Sequence, residues 1–384
     1  MQRQPRILVR LAALGAVAAA VATGCAGRPR GPAVRPAEAR ARIAALLPAD
    51  VSDRAGWAAD IQAAFAALGI EPETSNACAV IAVTGQESSF EADPAVPDLP
   101  RIARDEIDRR AGGLGVPAIA VHLALRIPSP DGRSYGERID AARTERDLSE
   151  IFDGFIGAVP MGRRLFGGLN PVRTGGPMQV SIAFAERRAA AGGYPYPVER
   201  SIRDEVFTRR GGLYFGIAHL LDYPAPYDDL LYRFADFNAG RWASRNAAFQ
   251  DAVSRASGIP LVLDGDLLAP GRDRGAPPGP TELAVRALGP RIGASDPEIE
   301  RALAQGEGPD LERNPVYQRV FALADALERS RLPRARVPDI ELHGPKLSRT
   351  RTTRWFADRV NERYGSCLAR AAAPPRKRAA PHAR

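Results

Sequence analysis

Apolar residues return at three- and four-residue spacing along most of the chain, and the runs end at glycine or proline, which predicts a mainly helical protein. A short helix is expected over 36–47, stopped by Pro48. Ser52 is placed to cap the next one, in which Trp57, Ile61, Ala64, Phe65 and Leu68 share a face and which Gly69 ends. Thr74 or Ser75 caps a third, with Cys78, Ile81, Val83 and Thr84 on its buried sides. That helix closes on Gly85, Gln86 and Glu87, and Phe90 follows as an apolar plug beneath the loop.

Further along, helices are expected over 102–110 and 117–126, separated by Gly112-Gly113, and over 135–156, with His122 on a buried apolar face. The run Gly175-Gly176-Pro177-Met178-Gln179-Val180 reads as the entrance of a helix continuing to about residue 191. Residues 200–222 read as helix interrupted near Gly211-Gly212, and 227–237 as an apolar helix that stops at Asn238-Ala239-Gly240. After a helix over 243–254 the character shifts. Residues 259–268 suggest a short strand pair and 269–280 a Pro/Gly-rich linker. Ser295 and Glu298 form a capping box, and amphipathic helices are expected over 316–329 and 347–368. Trp355, Phe356, Val360 and Tyr364 make the apolar face of the last.

Composition narrows the class. With 384 residues and 45% hydrophobic content, the chain can bury a sizeable core. Its net charge of +8 is concentrated at the ends: Arg3, Arg6 and Arg10 lie in the leader, and Arg370, Arg376, Lys377, Arg378 and Arg384 in an acid-free tail. The body between them is about neutral, so the charge gives no support to nucleic-acid binding. His122, His219, His343 and His382 are scattered without metal-ligand spacing, and there is no phosphate loop and no Gly-x-Ser-x-Gly elbow. Neither a metal nor a cofactor is expected.

The leader has a basic start, then a nearly all small and apolar run over 11–21, too short to span a membrane and suited to a secretory signal. It ends in Ala22-Thr23-Gly24-Cys25, which resembles the bacterial lipobox, with Ala22 where leucine is more usual. The resemblance implies that residues 1–24 are removed and Cys25 is lipidated. Several acyl chains on one cysteine, palmitate among them, anchor a protein stably. Ala26 after the cysteine favours, by sorting rules, the outer membrane facing the periplasm. Cys78 and Cys367 remain; in an oxidising compartment they form a bridge or stay as two buried thiols, and the sequence leaves both open.

A carboxylate at the mouth of an apolar helix has a raised pKa, as a general acid needs. Glu87 alone is a weak signal. It gains weight because three segments occur in order: Glu87-Ser88-Ser89-Phe90, Gly176-Pro177-Met178-Gln179-Val180 and Phe237-Asn238-Ala239-Gly240. Together with Gln86 and Asp93-Pro94 they resemble the soluble-type, goose-lysozyme-like lytic transglycosylases over residues 52 to 256. The whole chain also resembles a family of uncharacterised bacterial lipoproteins that carry such a region. The resemblance implies cleavage of peptidoglycan between N-acetylmuramic acid and N-acetylglucosamine, with a 1,6-anhydro product. Glu87 takes the role of acid and base. Ser88 orders the loop, Met178 packs beneath the site, Gln179 contacts sugar or loop, and Phe237 and Asn238 line the substrate side.

Two positions depart from the pattern. Pro177 stands where the family has leucine, and Asp236-Phe237 where it has Ala-Tyr, so the tyrosine hydroxyl that can bond the catalytic acid is missing. Asp236 is expected near solvent at a helix end, with service as a second carboxylate as the alternative. The expected organisation is a signal peptide (1–24), a tether and short helix (25–51), and a lysozyme-like domain (52–258) with an insertion at about 95–170. A linker (259–280), a helical C-terminal region (281–369) and a disordered basic tail (370–384) complete it. Expected partners are glycan strands and, through Cys25, a membrane; the sequence names no protein partner. The competing reading is a non-catalytic glycan-binding or scaffolding lipoprotein of the same fold.

Overall fold

The residues 77–85 are buried on every side, so the helix that carries them has to be surrounded. In the computed structural model, which describes residues 35–158, 170–269, 277–342 and 350–373, it is. The leader, Cys25 and most of its tether, residues 270–276 of the expected linker, His343, and the tail beyond residue 373 with His382 lie outside the described residues. Residues 370–372, expected to begin a disordered tail, continue the last helix instead, held where Arg370 Nε donates to the Leu46 carbonyl. Among those described, the chain forms sixteen α-helices and two short β-hairpins.

The central helix is α3 (Thr74–Glu87), preceded by α1 (Pro36–Leu46) and α2 (Arg54–Leu68). Asp53, not Ser52, caps α2: its carboxylate accepts from the Gly56 amide at 3.1 Å. Helices α4 (Leu99–Gly113), α5 (Ala118–Leu125), α6 (Tyr135–Ala141) and α7 (Glu145–Ala158) make the insertion. Strands β1 (Thr174–Gly175) and β2 (Val180–Ser181) pair antiparallel and lead into α8 (Ile182–Ala190). Then come α9 (Ile202–Val206), α10 (Arg209–Leu221), α11 (Leu230–Ala239) and α12 (Ala243–Ser257). The C-terminal part has α13 (Pro280–Ile292), α14 (Asp296–Leu303), α15 (Pro315–Glu328), the hairpin β3 (Glu341–Leu342) and β4 (Arg351–Thr352), and α16 (Thr353–Ala372).

The main core joins α1, α2, α3, α10, α11 and α16. Its last member comes from the far end of the sequence. α16 lies along α3 and α11, and Cys78 and Cys367 are joined by a disulfide across 289 residues. The C-terminal region is therefore not a separate body behind a linker. α12 continues from the main core into a second one, where Phe249 stacks on Tyr317 (5.2 Å) among α13, α14 and α15. A third, small core of Leu99, Ala103, Tyr135, Ile139, Ala142 and Ile151 holds the insertion.

Four local expectations change. Residues 259–268 form no strand pair; side chains of α12 hold them, with the Gly265 amide donating to Gln250 Oε1 (2.8 Å) and Asn246 Nδ2 donating to the Gly265 carbonyl (3.0 Å). The helix expected over 135–156 is broken at 142–144, because Asp147 accepts from the amides of Arg143 (2.8 Å) and Thr144 (3.0 Å) and starts α7 afresh. His122 is exposed, since the outer side of α5 faces away from the insertion's core. Gly211 and Gly212 do not interrupt a helix; both lie inside α10, where they allow close approach.

Candidate functional site

Glu87 is the last residue of α3. Ser88 closes the helix, donating from both its amide and Oγ to the Thr84 carbonyl at 3.1 Å. Ser89 (φ 52°) and Phe90 (φ 66°) then adopt left-handed backbone, which is costly without glycine and persists only where packing enforces it. The enforcing contact is the Phe90 ring. It turns under Gly85, where a Cβ would stand 3.3 Å away, and meets the edge of Trp57 at 5.4 Å. On the other side Arg363 Nε, from α16, donates to Gln86 Oε1 (3.1 Å). The turn that aims Glu87 is thus fixed from two directions.

The Glu87 carboxylate has no hydrogen-bond or ion-pair partner among the described residues. Burial first, and the like charge of Glu145 second, push its pKa up to about 7. Glu145 opens α7 of the insertion, a region in which the sequence showed no catalytic pattern. A small antiparallel bridge between Ala95 and Thr144 brings it there, with the Val96 amide donating to the Arg143 carbonyl (2.9 Å). Asp93 sits in the same junction. Burial raises its pKa, and a Thr144 side-chain hydrogen bond opposes the rise. Only the long-range fold reveals this acidic junction; no local spacing in the sequence announces it.

The second segment is a hairpin, not a helix entrance. Gly176 (φ 72°) and Gln179 (φ 49°) reverse the chain between β1 and β2, and Pro177 sits inside the turn. The hairpin rests on α9 and α10 at distances that exclude side chains. A Cβ on Gly176 would stand 2.0 Å from the Val206 carbonyl oxygen, one on Gly212 2.3 Å from Pro177 Cδ, and one on Gly216 2.5 Å from Met178 Sδ. Met178 is fully buried. Gln179 is half-buried; its Oε1 accepts from Thr174 Oγ1 (3.3 Å) and its Nε2 donates to the Gly176 carbonyl (3.4 Å).

The third segment is the end of α11. Phe237 meets the His219 ring at 5.2 Å and stacks over Phe356 at 6.5 Å. Asn238 is exposed, and its Oδ1 accepts from Thr353 Oγ1 (2.9 Å). His219 lies between Phe184 and Phe237, with Nε2 3.3 Å from the Phe237 carbonyl oxygen and Nδ1 buried without a partner among the described residues. Burial, then the nearby Arg241 charge, bring its pKa down to about 4, so it is neutral at physiological pH.

Asp236 is not near solvent. It is 1% exposed and accepts from the amides of Trp242 (3.0 Å) and Ser244 (2.7 Å) and the hydroxyls of Tyr223 (2.8 Å) and Tyr227. Burial pushes its pKa up to about 6 against the pull of those donors. With both oxygens committed to the entry of α12, it is a structural anchor and is not free to act as a second carboxylate.

All three segments therefore converge on α10. α3 packs against it, Met178 lies on its Gly216, and Phe237 meets its His219. Among the described residues no hydrogen bond links Glu87 to Ser88, Gln179 or Asn238. No group of three or more His, Cys, Asp or Glu among the described residues is placed to hold a metal ion. What the arrangement offers is one carboxyl group that exchanges a proton near neutral pH.

Comparison with known proteins gives a relationship along nearly the whole fold. Residues 50–370 match the family described as "Protein of unknown function (DUF1615)". The chain belongs to this family. It is also 51% identical over 362 residues to the "Uncharacterized protein YaiW" of Escherichia coli (strain K12), an alignment covering 93% of this chain and 98% of that relative. No solved structure matches. The matched span runs from before α2 into α16, so it takes in Glu87, the hairpin, Asn238 and the disulfide.

Proposed function

We propose that the protein is a peptidoglycan lytic transglycosylase in which Glu87 is both acid and base. The observation that carries this reading is the state of Glu87: a carboxyl group crowded by protein, without a partner, with a pKa of about 7 at the end of a buried helix. A protonated Glu87 donates its proton to the glycosidic oxygen as the bond to C1 of N-acetylmuramic acid breaks. The resulting carboxylate takes the proton of the C6 hydroxyl as that oxygen attacks C1 and closes the 1,6-anhydro ring. The proton count returns to its starting point and no water is consumed, so one carboxylate suffices where hydrolysis uses two. Gln179 and Asn238 supply polar contacts to the strand, and Met178 and Phe237 support them from below.

The reading also places the chain in the envelope, tethered by lipidated Cys25 in the outer membrane and facing the periplasm. A disulfide between Cys78 and Cys367 suits that oxidising location. Replacing Cys25→Ser is expected to release the protein from the membrane fraction; retention there would contradict the anchor.

The non-catalytic reading is favoured by one observation, Phe237. Its ring supplies no hydroxyl and is engaged by His219 and Phe356. Digestion of purified sacculi separates the two. Anhydromuropeptides released by the wild type and not by Glu87→Gln support the enzyme. Binding of sacculi without any released product supports the scaffold.

A further inference from the structure

A stripe at three- and four-residue spacing runs along α16: Thr353, Phe356, Val360, Arg363 and Cys367. Its apolar members belong to the main core. The other two are polar, and packing alone gives no reason for either. Both sit where the stripe meets the candidate site, although α16 lies well beyond residue 256, where the resemblance to the transglycosylases ends.

Thr353 is fully buried, and its Oγ1 donates to Asn238 Oδ1 at 2.9 Å. A hydroxyl that donates selects the oxygen side of an amide. The Oδ1 of Asn238 is thereby committed to the fold. Its Nδ2, which has no partner among the described residues, is the free half of an exposed side chain. Asn238 therefore offers donors, which suit the acceptor oxygens of a sugar. One turn on, Phe356 stacks over Phe237 at 6.5 Å and seats the same end of α11.

Further along the stripe, Arg363 lies over Gly85, where a Cβ would stand 3.9 Å from its Nη1, and its Nε donates to Gln86 Oε1 at 3.1 Å. Gln86 directly precedes Glu87. About 15 Å of helix separates Thr353 from Arg363 at roughly 1.5 Å per residue. Past Arg363, the Cys78–Cys367 disulfide and the Arg370 Nε bond to the Leu46 carbonyl (3.0 Å) keep α16 from sliding along α3. One helix thus holds two turns from distant parts of the chain at one spacing. Polar residues in an apolar seam fix register in this way at a cost in stability.

We propose that α16 is part of the glycan site, with Thr353 and Arg363 as positioning residues: Thr353 fixes Asn238 so that its amide N–H groups meet the strand, and Arg363 holds the Glu87 turn at a set spacing from it. The proposal rests on the transglycosylase reading for its substrate and on α16 for its geometry. The test measures kcat and KM on soluble, uncross-linked glycan strands with the chain from residue 26 onward, which contains the whole described fold. Thr353→Val removes the hydroxyl and keeps the shape; it is expected to raise KM about fivefold with little change in kcat. Arg363→Leu is expected to lower kcat about tenfold with little change in KM. Thr353→Ser keeps the hydroxyl and is expected to recover most of what Thr353→Val loses.

A second readout needs no substrate. In protein labelled with ¹⁵N at asparagine and glutamine, Thr353→Val is expected to shift the side-chain NH₂ signals of Asn238, and Arg363→Leu those of Gln86. If the wild type releases nothing from glycan, the transglycosylase reading fails, and these spectra still test the positioning. Unmoved signals in the folded variants overturn the proposal whatever the activity. Shifted signals with wild-type kcat and KM confine α16 to the fold and overturn its place in the site, as does a Thr353→Ser no better than Thr353→Val. Should Thr353→Val fail to fold, Asn238→Asp decides the same point, because its carboxylate still accepts from Thr353 but offers no donor. A raised KM in that variant supports the proposal, and a wild-type KM overturns it.

Discussion

Around Val80 and Phe234 the interior is filled, and helices from both ends of the chain are bolted together by Cys78–Cys367. Between α4 and α7, in the same molecule, a cavity of about 830 Å³ remains, and the small core beside it has six buried residues. Surface ion pairs such as Arg104–Asp140 (2.7 Å) and Arg109–Glu106 (2.6 Å) surround that small core, and each contributes little in water. The comparison separates two tasks. The main core fixes one carboxyl group in one direction. The insertion presents space and apolar surface, and meets the first region at the acidic junction of Asp93 and Glu145 and along α7, where Glu150 pairs with Arg200 (2.9 Å) and Leu148 packs against the main core.

The contrast can be broken or sharpened by substitution. The largest stability effect is expected from Phe234→Ala, about 3–5 kcal/mol, because a fully buried ring leaves a void that its neighbours cannot close. Ile151→Ala in the insertion should cost less, about 2 kcal/mol, since its surroundings can relax toward the existing cavity. Urea denaturation of both variants checks this; equal costs would mean that the insertion is packed as firmly as the core. Next, Cys78→Ser with Cys367→Ser is expected to lower stability by about 2–5 kcal/mol through the freed loop. The same measurement on the reduced wild type should agree with it.

The third effect depends on pH. Glu87 has a folded pKa of about 7 against an ordinary 4.5, so between these values the unfolded chain holds fewer protons than the folded one. Its contribution to stability therefore falls as pH rises from about 4.5 to 7. Glu87→Gln removes that fall. The variant should match the wild type near pH 4 and exceed it by about 2–3 kcal/mol at pH 8. A stability gap independent of pH would show that Glu87 is ionised in the fold. The smallest effect is expected from Leu123→Ser on the exposed side of α5, within about 0.5 kcal/mol.

Several features were legible because they are local. Gly69 and Gly240 end helices with φ of 66° and 111°, and Ser295 with Glu298 makes the capping box its spacing announced. Phe90 packs under Gly85 as a plug. Other features were misread for physical reasons. Pro177 after two glycines has the chemistry of a helix start as well as of a turn, and only the pairing of β1 with β2 decides. Gly211 and Gly212 have the composition of a helix break, but the missing side chain of Gly212 makes room for Pro177 of the hairpin and that of Gly211 for the Glu205 carbonyl. Asp236 has the sequence of a solvent-facing helix end, and it is buried because the turns on either side of α11 fold back on it with four donors, from Tyr223, Tyr227, Trp242 and Ser244. Glu145, the return of α16 to α3 and the insertion's cavity depend on long-range packing, to which periodicity is blind.

The central claim is that Glu87 transfers a proton to and from a glycan. Its most direct test is mass spectrometry of the products released from purified sacculi by the chain from residue 26 onward and by its Glu87→Gln variant, across pH 5 to 9. The account predicts 1,6-anhydromuropeptides from the wild type, falling away above about pH 7, and a loss of at least about 10²-fold in the variant. Anhydro products at equal rates from both proteins, or none from the folded wild type at any pH, would contradict it.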